Sequence, residues 1–259
     1  TLGTMSELIA KPNGIIIVTG PTGCGKTTTL YAFLKKVNLM SDKLITTEDP
    51  VEYDLEGVVQ VAINAKIGLT FSRCLRHILR QDPDKIMVGE VRDLETSQLS
   101  IQASLTGHLV LSTLHTNDAP GAITRLVDMG VEPFLITSTL EAILAQRLIR
   151  TICPRCKTAY KPSEFVLNEL GLTLDDVEGK ELYYGKGCQE CNDTGYLGRT
   201  GIFELMMITD PVRELIMERS PTVMLRERAR EQGMRTLREE GILKLFDGIS
   251  AVEEVARET

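Results

Sequence analysis

Between an apolar run and a helix-forming run, the chain carries Gly20-Pro21-Thr22-Gly23-Cys24-Gly25-Lys26-Thr27, and no other segment restricts its fold as much. The pattern is G-x-x-x-x-G-K-[ST]. Its glycines let backbone N–H groups converge on phosphate oxygens, its lysine reaches the β- and γ-phosphates, and its hydroxyl binds Mg²⁺. Such a loop needs a strand before it and a helix after it. Ile15-Ile16-Ile17-Val18 supplies the strand, and Thr27 to Met40 reads as the helix. We therefore assign Gly20, Pro21, Thr22, Gly23, Cys24, Gly25, Lys26, Thr27 and Thr28 to ATP, with the helix N-terminus adding favourable partial charge. A glycine-rich turn without a ligand is the competing reading, and the strand and helix on either side speak against it.

From Gly14 to about Arg150, short β-branched runs alternate with helical patterns: Leu44 to Thr47, Ser72 to Arg80, Ile86 to Gly89, Asp93 to Leu105, Leu109 to Thr113 and Ala119 to Met129. That alternation predicts an α/β fold with a mostly parallel sheet. Fully apolar strands suit a sheet covered on both faces. Val58 to Ile63 is expected as a hairpin arm at the sheet edge. Turn residues from Ile152 to Gly201 mark a second module. Helical spacing returns at Pro211 to Arg219, Val223 to Gln232 and Leu237 to Phe246.

With 259 residues, 42% of them apolar and 25% charged, the composition is that of a globular protein rather than a disordered one. A net charge of −7 argues against a nucleic-acid backbone as the main partner. No apolar run approaches the ~20 residues of a bilayer-spanning helix, and no signal pattern opens the chain. The expected location is cytoplasmic. Since Thr1 is not an initiator Met and a core strand follows almost at once, an excised domain with an upstream part is expected.

Three further groups point to the phosphate edge. Glu48-Asp49-Pro50-Val51-Glu52 follows the strand at Leu44 and should emerge at the same carboxyl edge as the glycine loop. Hydrolysis needs a carboxylate to orient water, and Glu48, first beyond the strand, is preferred to Glu52. The strand Lys85 to Gly89 ends in Glu90, expected on the Mg²⁺ side with Thr27, although such a residue by itself is as readily a solvated strand end. His115, after the strand at Leu109, is either structural or a reader of the γ-phosphate. His108, at the far end of that strand, is expected to be structural. Arg73, Arg76 and Arg80 share one helical face by spacing. They form either a solvated basic face or a source of phosphate-stabilising charge, within a subunit or across an interface.

Cys153-x-x-Cys156 and Cys188-x-x-Cys191, with residues 157–187 between them, make two thiolate knuckles able to complete one tetrahedral, structural Zn²⁺ site. Reduced thiols and redox chemistry are the alternatives, and zinc is preferred because both pairs lie among turn residues.

Taken together, the loop at Gly20, Thr47-Glu48-Asp49-Pro50-Val51-Glu52-Tyr53, Leu79-Arg80-Gln81-Asp82-Pro83-Asp84, Val88-Gly89-Glu90-Val91-Arg92-Asp93, and Thr106-Gly107-His108 through Leu114-His115-Thr116-Asn117 resemble the type II and type IV secretion ATPase family. The resemblance runs from Leu2 to about Ile249. The tetracysteine segment, followed by Gly195 to Glu204, looks like the branch that powers type IV pilus assembly or type II secretion. Pilus retraction ATPases lack that zinc module.

The resemblance implies a RecA-like P-loop core at 1–151, a zinc-binding insertion at 152–201 and a C-terminal helical region at 202–259. It implies Glu48 as the water-orienting residue, Glu90 as an atypical Mg²⁺-side carboxylate, and His115 as part of a histidine box. It also implies a homohexamer at the cytoplasmic face of the inner membrane, associated with the membrane through a platform protein, and a preceding domain that supplies further arginines. The expected function is ATP hydrolysis driving type IV pilus assembly, with type II secretion as the alternative. A RecA-like nucleic-acid motor is disfavoured by acidity and by an aromatic content of 5%. A non-hydrolysing nucleotide-gated module is disfavoured by the presence of both Glu48 and Glu90.

Overall fold

In the computed structural model, which describes residues 2–259, the run Gly14–Thr19 forms β1 with every residue buried. Leu2–Ile9 (α1) precedes it. Lys26–Val37 (α2) follows the glycine loop and turns Leu30, Tyr31, Leu34 and Val37 inward, the i, i+4, i+7 stripe of a core-facing helix. The next elements are Leu44–Glu48 (β2), Val58–Ala62 (β3), Phe71–Ile78 (α3), Lys85–Val88 (β4), Leu94–Leu105 (α4), Leu109–Leu114 (β5), Ala119–Asp128 (α5) and Pro133–Thr139 (α6). Leu140–Ile152 (β6), Lys157–Tyr160 (β7), Glu164–Asn168 (α7), Leu182–Gly185 (β8) and Tyr196–Met207 (β9) lead to the last helices, Asp210–Met217 (α8), Thr222–Glu231 (α9), Leu237–Phe246 (α10) and Val252–Glu258 (α11).

Seven strands form one sheet in the order β3-β2-β4-β5-β1-β6-β9. The pairs β3/β2, β2/β4, β4/β5, β5/β1 and β1/β6 are all parallel. The α/β fold with a mostly parallel sheet is thus as expected. β1, β2 and β5 are buried along their whole length, as strands covered on both faces must be. Met5, Leu8 and Ile9 of α1, with Leu30, Tyr31 and Leu34 of α2, join Ile16, Val18, Leu44, Met87, Leu109 and Leu111 of the strands in one apolar cluster. Asp93 caps α4 by accepting the Thr96 amide at 2.7 Å, and Asp118 caps α5 by accepting that of Gly121 at 2.8 Å.

Three local expectations are corrected. β3 lies at the sheet edge, but it runs parallel to β2 in the register Leu44↔Val58, so it is not a hairpin arm. Its weak alternation reflects an edge strand whose residues are half-buried or exposed. Glu48 is the last residue of β2, paired with Ala62, rather than the first beyond it. α3 ends at Ile78, so Arg80 follows the helix in a turn and does not share its face with Arg73 and Arg76.

The chain forms two compact units. The first comprises everything up to Ala145 together with Leu205–Met234, and the second Gln146–Glu204 with Arg235–Thr259. These boundaries coincide only partly with cuts at 151 and 201. The strands β6 and β9 each run through a unit boundary, α8 and α9 fall in the first unit, and α10 and α11 in the second. No helix among the described residues is long and apolar enough to cross a membrane.

Candidate active site and thiolate cluster

β1, β2, β4 and β5 deliver their carboxyl ends to one edge of the first unit, where ligands of open α/β sheets bind. A cleft of about 640 Å³ opens there, within the range of small-molecule sites. Thr22, Gly23, Gly25, Lys26, Thr27 and Thr28 form one wall, with Glu48, Asp49, Glu52, Gly89, Glu90, Arg92 and His115 around the rest. Gly23 and Gly25 have φ of 81° and 90°, a left-handed backbone that side chains resist, and Gly25 is the N-cap of α2. The Lys26 ammonium donates to the Gly20 and Pro21 carbonyls at 2.8 and 3.0 Å, which holds it over the loop. Cys24 turns inward and is buried. The loop therefore has the backbone, the cation and the hydroxyl that a nucleotide's phosphates and their Mg²⁺ require. Thr27 and Glu90 line the same cleft as the lysine.

Glu48 is 2% exposed. The Tyr31 hydroxyl donates to its Oε2, Thr46 Oγ1 to its Oε1, and Gln60 Nε2 to its Oε1 at 3.1 Å. Gln60 Nε2 also reaches Tyr31 Oη at 3.2 Å, which closes the network. Burial and then the bond to Glu48 push the Tyr31 phenol up to about 12, so it stays a donor. Three donors fix the carboxylate's direction and offset its burial.

Glu90 is gripped from two sides. His115 Nε2 lies 3.2 Å from Oε1, and Arg92 Nε donates to Oε2 at 2.7 Å. Arg92 also approaches Asp49 Oδ2 at 3.7 Å and lies 5.8 Å from the Phe71 ring centroid. The backbone sets these positions. Thr113 Oγ1 donates to the Gly89 carbonyl at 2.7 Å, and the Val91 amide donates to the Thr113 carbonyl at 3.0 Å. A Cβ at position 89 would lie 3.0 Å from the Thr47 carbonyl oxygen, so glycine lets β4 close on β2 at this edge. Thr19 Oγ1 accepts the Thr116 amide at 2.9 Å and ties the loop bearing His115 to β1.

Other predicted residues lie elsewhere. Arg73 donates to the Gly68 carbonyl at 3.3 Å, Arg76 pairs with Glu95, and none of Arg73, Arg76 and Arg80 lines the cleft. His108 bonds the Ala103 carbonyl at 2.8 Å at the opposite end of β5, the structural position expected of it. Sequence reasoning missed Tyr31, Thr46, Gln60 and Arg92. Arg92 stood inside a recognised motif, whereas the other three carry no local signal.

In the second unit, Cys153, Cys156, Cys188 and Cys191 bring their sulfurs within 4.8 Å of one another. Three sulfur pairs lie at 3.9, 3.9 and 3.7 Å. Four thiolates at Zn–S of about 2.3 Å on a tetrahedron imply edges of about 3.8 Å, whereas a disulfide needs sulfurs at about 2.05 Å. The cysteines are free and their spacing fits zinc. Burial pushes the Cys191 thiol up, but the amides of Cys188 and Gly195, at 3.2 and 3.3 Å from its sulfur, and the neighbouring thiols bring it down to about 7. Such amides stabilise the thiolate a metal needs.

The parallel sheet, glycine loop and gripped carboxylates define a P-loop nucleotide-binding protein. The family described as Type II/IV secretion system protein matches residues 1–257, and the chain belongs to it. It is 52% identical over 255 residues to type II secretion system protein E of Pseudomonas aeruginosa, covering 98% of this chain and 50% of that protein. It is 49% identical over 253 residues to the type IV pilus assembly ATPase PilB of Thermus thermophilus, covering 98% of this chain and 28% of that protein. The chain thus spans half the length or less of these relatives. Among solved structures it resembles the pilus retraction motor PilT with bound ADP, at a TM-score of 0.74 and 28% identity over 99% of this chain and 64% of that one.

Proposed function

We propose that this chain is the ATP-hydrolysing core of a motor that drives type IV pilus assembly, acting as a homohexamer at the cytoplasmic face of the inner membrane through a platform protein. The observation that carries the reading is the pair of buried or gripped carboxylates, Glu48 and Glu90, facing the glycine loop across one cleft. Bound Mg²⁺-ATP would supply the phosphoryl group to be transferred. Lys26 and the loop amides bind its phosphates, and Thr27 and Glu90 serve the metal side. Glu48 orients the attacking water, with Tyr31 and Gln60 holding its carboxylate. His115 and Arg92 position Glu90. Arg73, Arg76 and Arg80, outside the cleft of their own chain, are available to a neighbouring subunit. The four cysteines hold a structural Zn²⁺.

Glu48→Gln keeps the shape but removes the charge. Single-turnover assays should find ATP still bound and hydrolysis slowed by about 10²- to 10⁴-fold. Unchanged turnover would refute the role of Glu48. Type II secretion is the second reading, supported by the 52% identity to a secretion relative against 49% to a pilus one. Co-purification with pilus and with secretion platform proteins separates the two, since a motor of either pathway should retain only its own platform.

A further inference from the structure

The cleft is lined by four carboxylates, Glu48, Asp49, Glu52 and Glu90, and by two permanent cations, Lys26 and Arg92. The two cations are held in different ways. Lys26 sits over the glycine loop on two backbone carbonyls. Arg92 is the one arginine among the described residues that lines the cleft, and its backbone is fixed through the bond from the Val91 amide to Thr113 at 3.0 Å. Its side chain is 57% exposed, against 19% for that of Glu90.

Of the five N–H donors of this guanidinium, only Nε makes a hydrogen bond among the described residues, to Glu90 Oε2 at 2.7 Å. Nη1 lies 3.7 Å from Asp49 Oδ2, beyond hydrogen-bond length, and the Phe71 ring supports the group at 5.8 Å. One charge-assisted bond therefore tethers Arg92, and its terminal fork is unused. That fork matches a phosphate's oxygens in pairs, which the ammonium of Lys26 does not. Glu90, the tether, is also the carboxylate on the Mg²⁺ side of the cleft. A carboxylate that turns its charge towards a metal holds a neighbouring guanidinium less strongly.

We propose that Arg92 exchanges Glu90 for the γ-phosphate when Mg²⁺-ATP enters the cleft, and that this contact sets the preference for ATP over ADP. Phosphoryl-transfer proteins draw such a cation from their own chain or from a neighbour, and here the same chain provides it. The inference rests on the nucleotide-binding reading of the cleft. It is independent of which pathway the motor serves.

Holding Glu90 and holding the γ-phosphate are separable roles. Both Mg²⁺-ADP and Mg²⁺-ATP engage the metal side, so an arginine that only positions Glu90 affects the two alike, whereas a γ-phosphate ligand affects ATP alone. The test is equilibrium binding of fluorescent ADP and of a fluorescent non-hydrolysable ATP analogue, each with Mg²⁺, to this chain and its Arg92→Gln and Arg92→Lys variants. Arg92→Gln should weaken the ATP analogue about 10-fold or more and ADP by less than about 2-fold. Arg92→Lys should recover part of the loss, because it keeps the charge without the fork. Retained ADP binding shows that the cleft survives substitution, and the lysine variant supplies the same ratio should the glutamine variant not fold. Equal weakening of both nucleotides, or unchanged binding of both, would overturn the proposal while leaving the cleft a nucleotide site. Failure of the unsubstituted chain to bind either nucleotide would overturn the nucleotide reading and this inference with it.

Discussion

Glu48 in the first unit is buried and the cysteine cluster in the second is half-buried, and the two sites are kept in place by different means. Glu48 belongs to a strand buried between layers, and its donors come from α2, β2 and β3. Sheet register aligns them, and the surrounding apolar cluster holds that register. The second unit rests on short elements, a two-stranded sheet and single-turn helices among them, and its four sulfurs converge within 4.8 Å of one another, an arrangement that fits a metal. A large parallel sheet can position catalytic groups by packing alone, whereas a small turn-rich unit needs a staple.

The largest test of this contrast is metal removal. Apparent Zn²⁺ binding of roughly 10 to 16 kcal/mol is linked to folding in small metal units. Chelation should release about one Zn²⁺ per chain and raise hydrogen exchange across residues 146–204 and 235–259, while β1, β2 and β5 stay protected. Simultaneous loss of protection in both units would break the comparison.

A smaller effect tests the first unit's preformed cleft. Lys26→Ala removes the cation held over the loop and should weaken Mg²⁺-ATP binding at least about 30-fold, with the melting temperature of the ligand-free protein nearly unchanged. Equilibrium binding of a fluorescent ATP analogue measures the first, and calorimetry the second.

The second unit also holds a buried carboxylate, that of Glu254, with donors from elsewhere in the chain. Arg150 donates to buried Glu254 from its amide, Nε and Nη2 at 2.9, 2.9 and 2.6 Å. Burial acts to raise the Glu254 pKa, but the Arg150 bonds prevail and hold it below the ordinary 4.5. A carboxyl lowered in this way contributes stability that is present above its unfolded pKa and is lost as pH falls through the folded one. Arg150→Ala removes the guanidinium's bonds and charge, which lower the Glu254 pKa, so the acid unfolding of this unit should move to higher pH. At neutral pH the cost should be about 3 kcal/mol, the low end for a broken buried pair because Arg257 stays 2.8 Å from Glu254. An unmoved acid transition would show that the staple alone governs the unit.

Tyr31→Phe should have the smallest effect, about 1 to 2 kcal/mol from one lost donor to a buried carboxylate, read as a lower melting temperature of the first unit. Since Thr46 and Gln60 still hold Glu48, turnover should fall less than in Glu48→Gln. An equal fall would mean that the phenol, not the network, orients the carboxylate.

The features legible in the sequence were those written within a short stretch of chain. Gly20 to Thr27 carries its own geometry, the alternation of apolar strands and helices implies the parallel sheet, and two C-x-x-C pairs announce a shared site. Boundaries were less legible. Helix spacing alone extended α3 to Arg80, whereas the chain leaves the helix at Ile78 and reaches a left-handed Asp82 at φ 51°. The strand Leu140–Ile152 and the last helix, Val252–Glu258, were not singled out at all.

The sequence by itself determined that this chain has a phosphate loop, a parallel α/β core and a four-thiol cluster, because each depends on residue types at fixed local spacing. Only the tertiary structure decided that Tyr31, Thr46 and Gln60 hold Glu48 and that Arg92 and His115 meet at Glu90. The physical reason is strand order. Placing β2 between β3 and β4, and β4 beside β5, brings together residues far apart along the chain, and no local pattern records which strands will be neighbours.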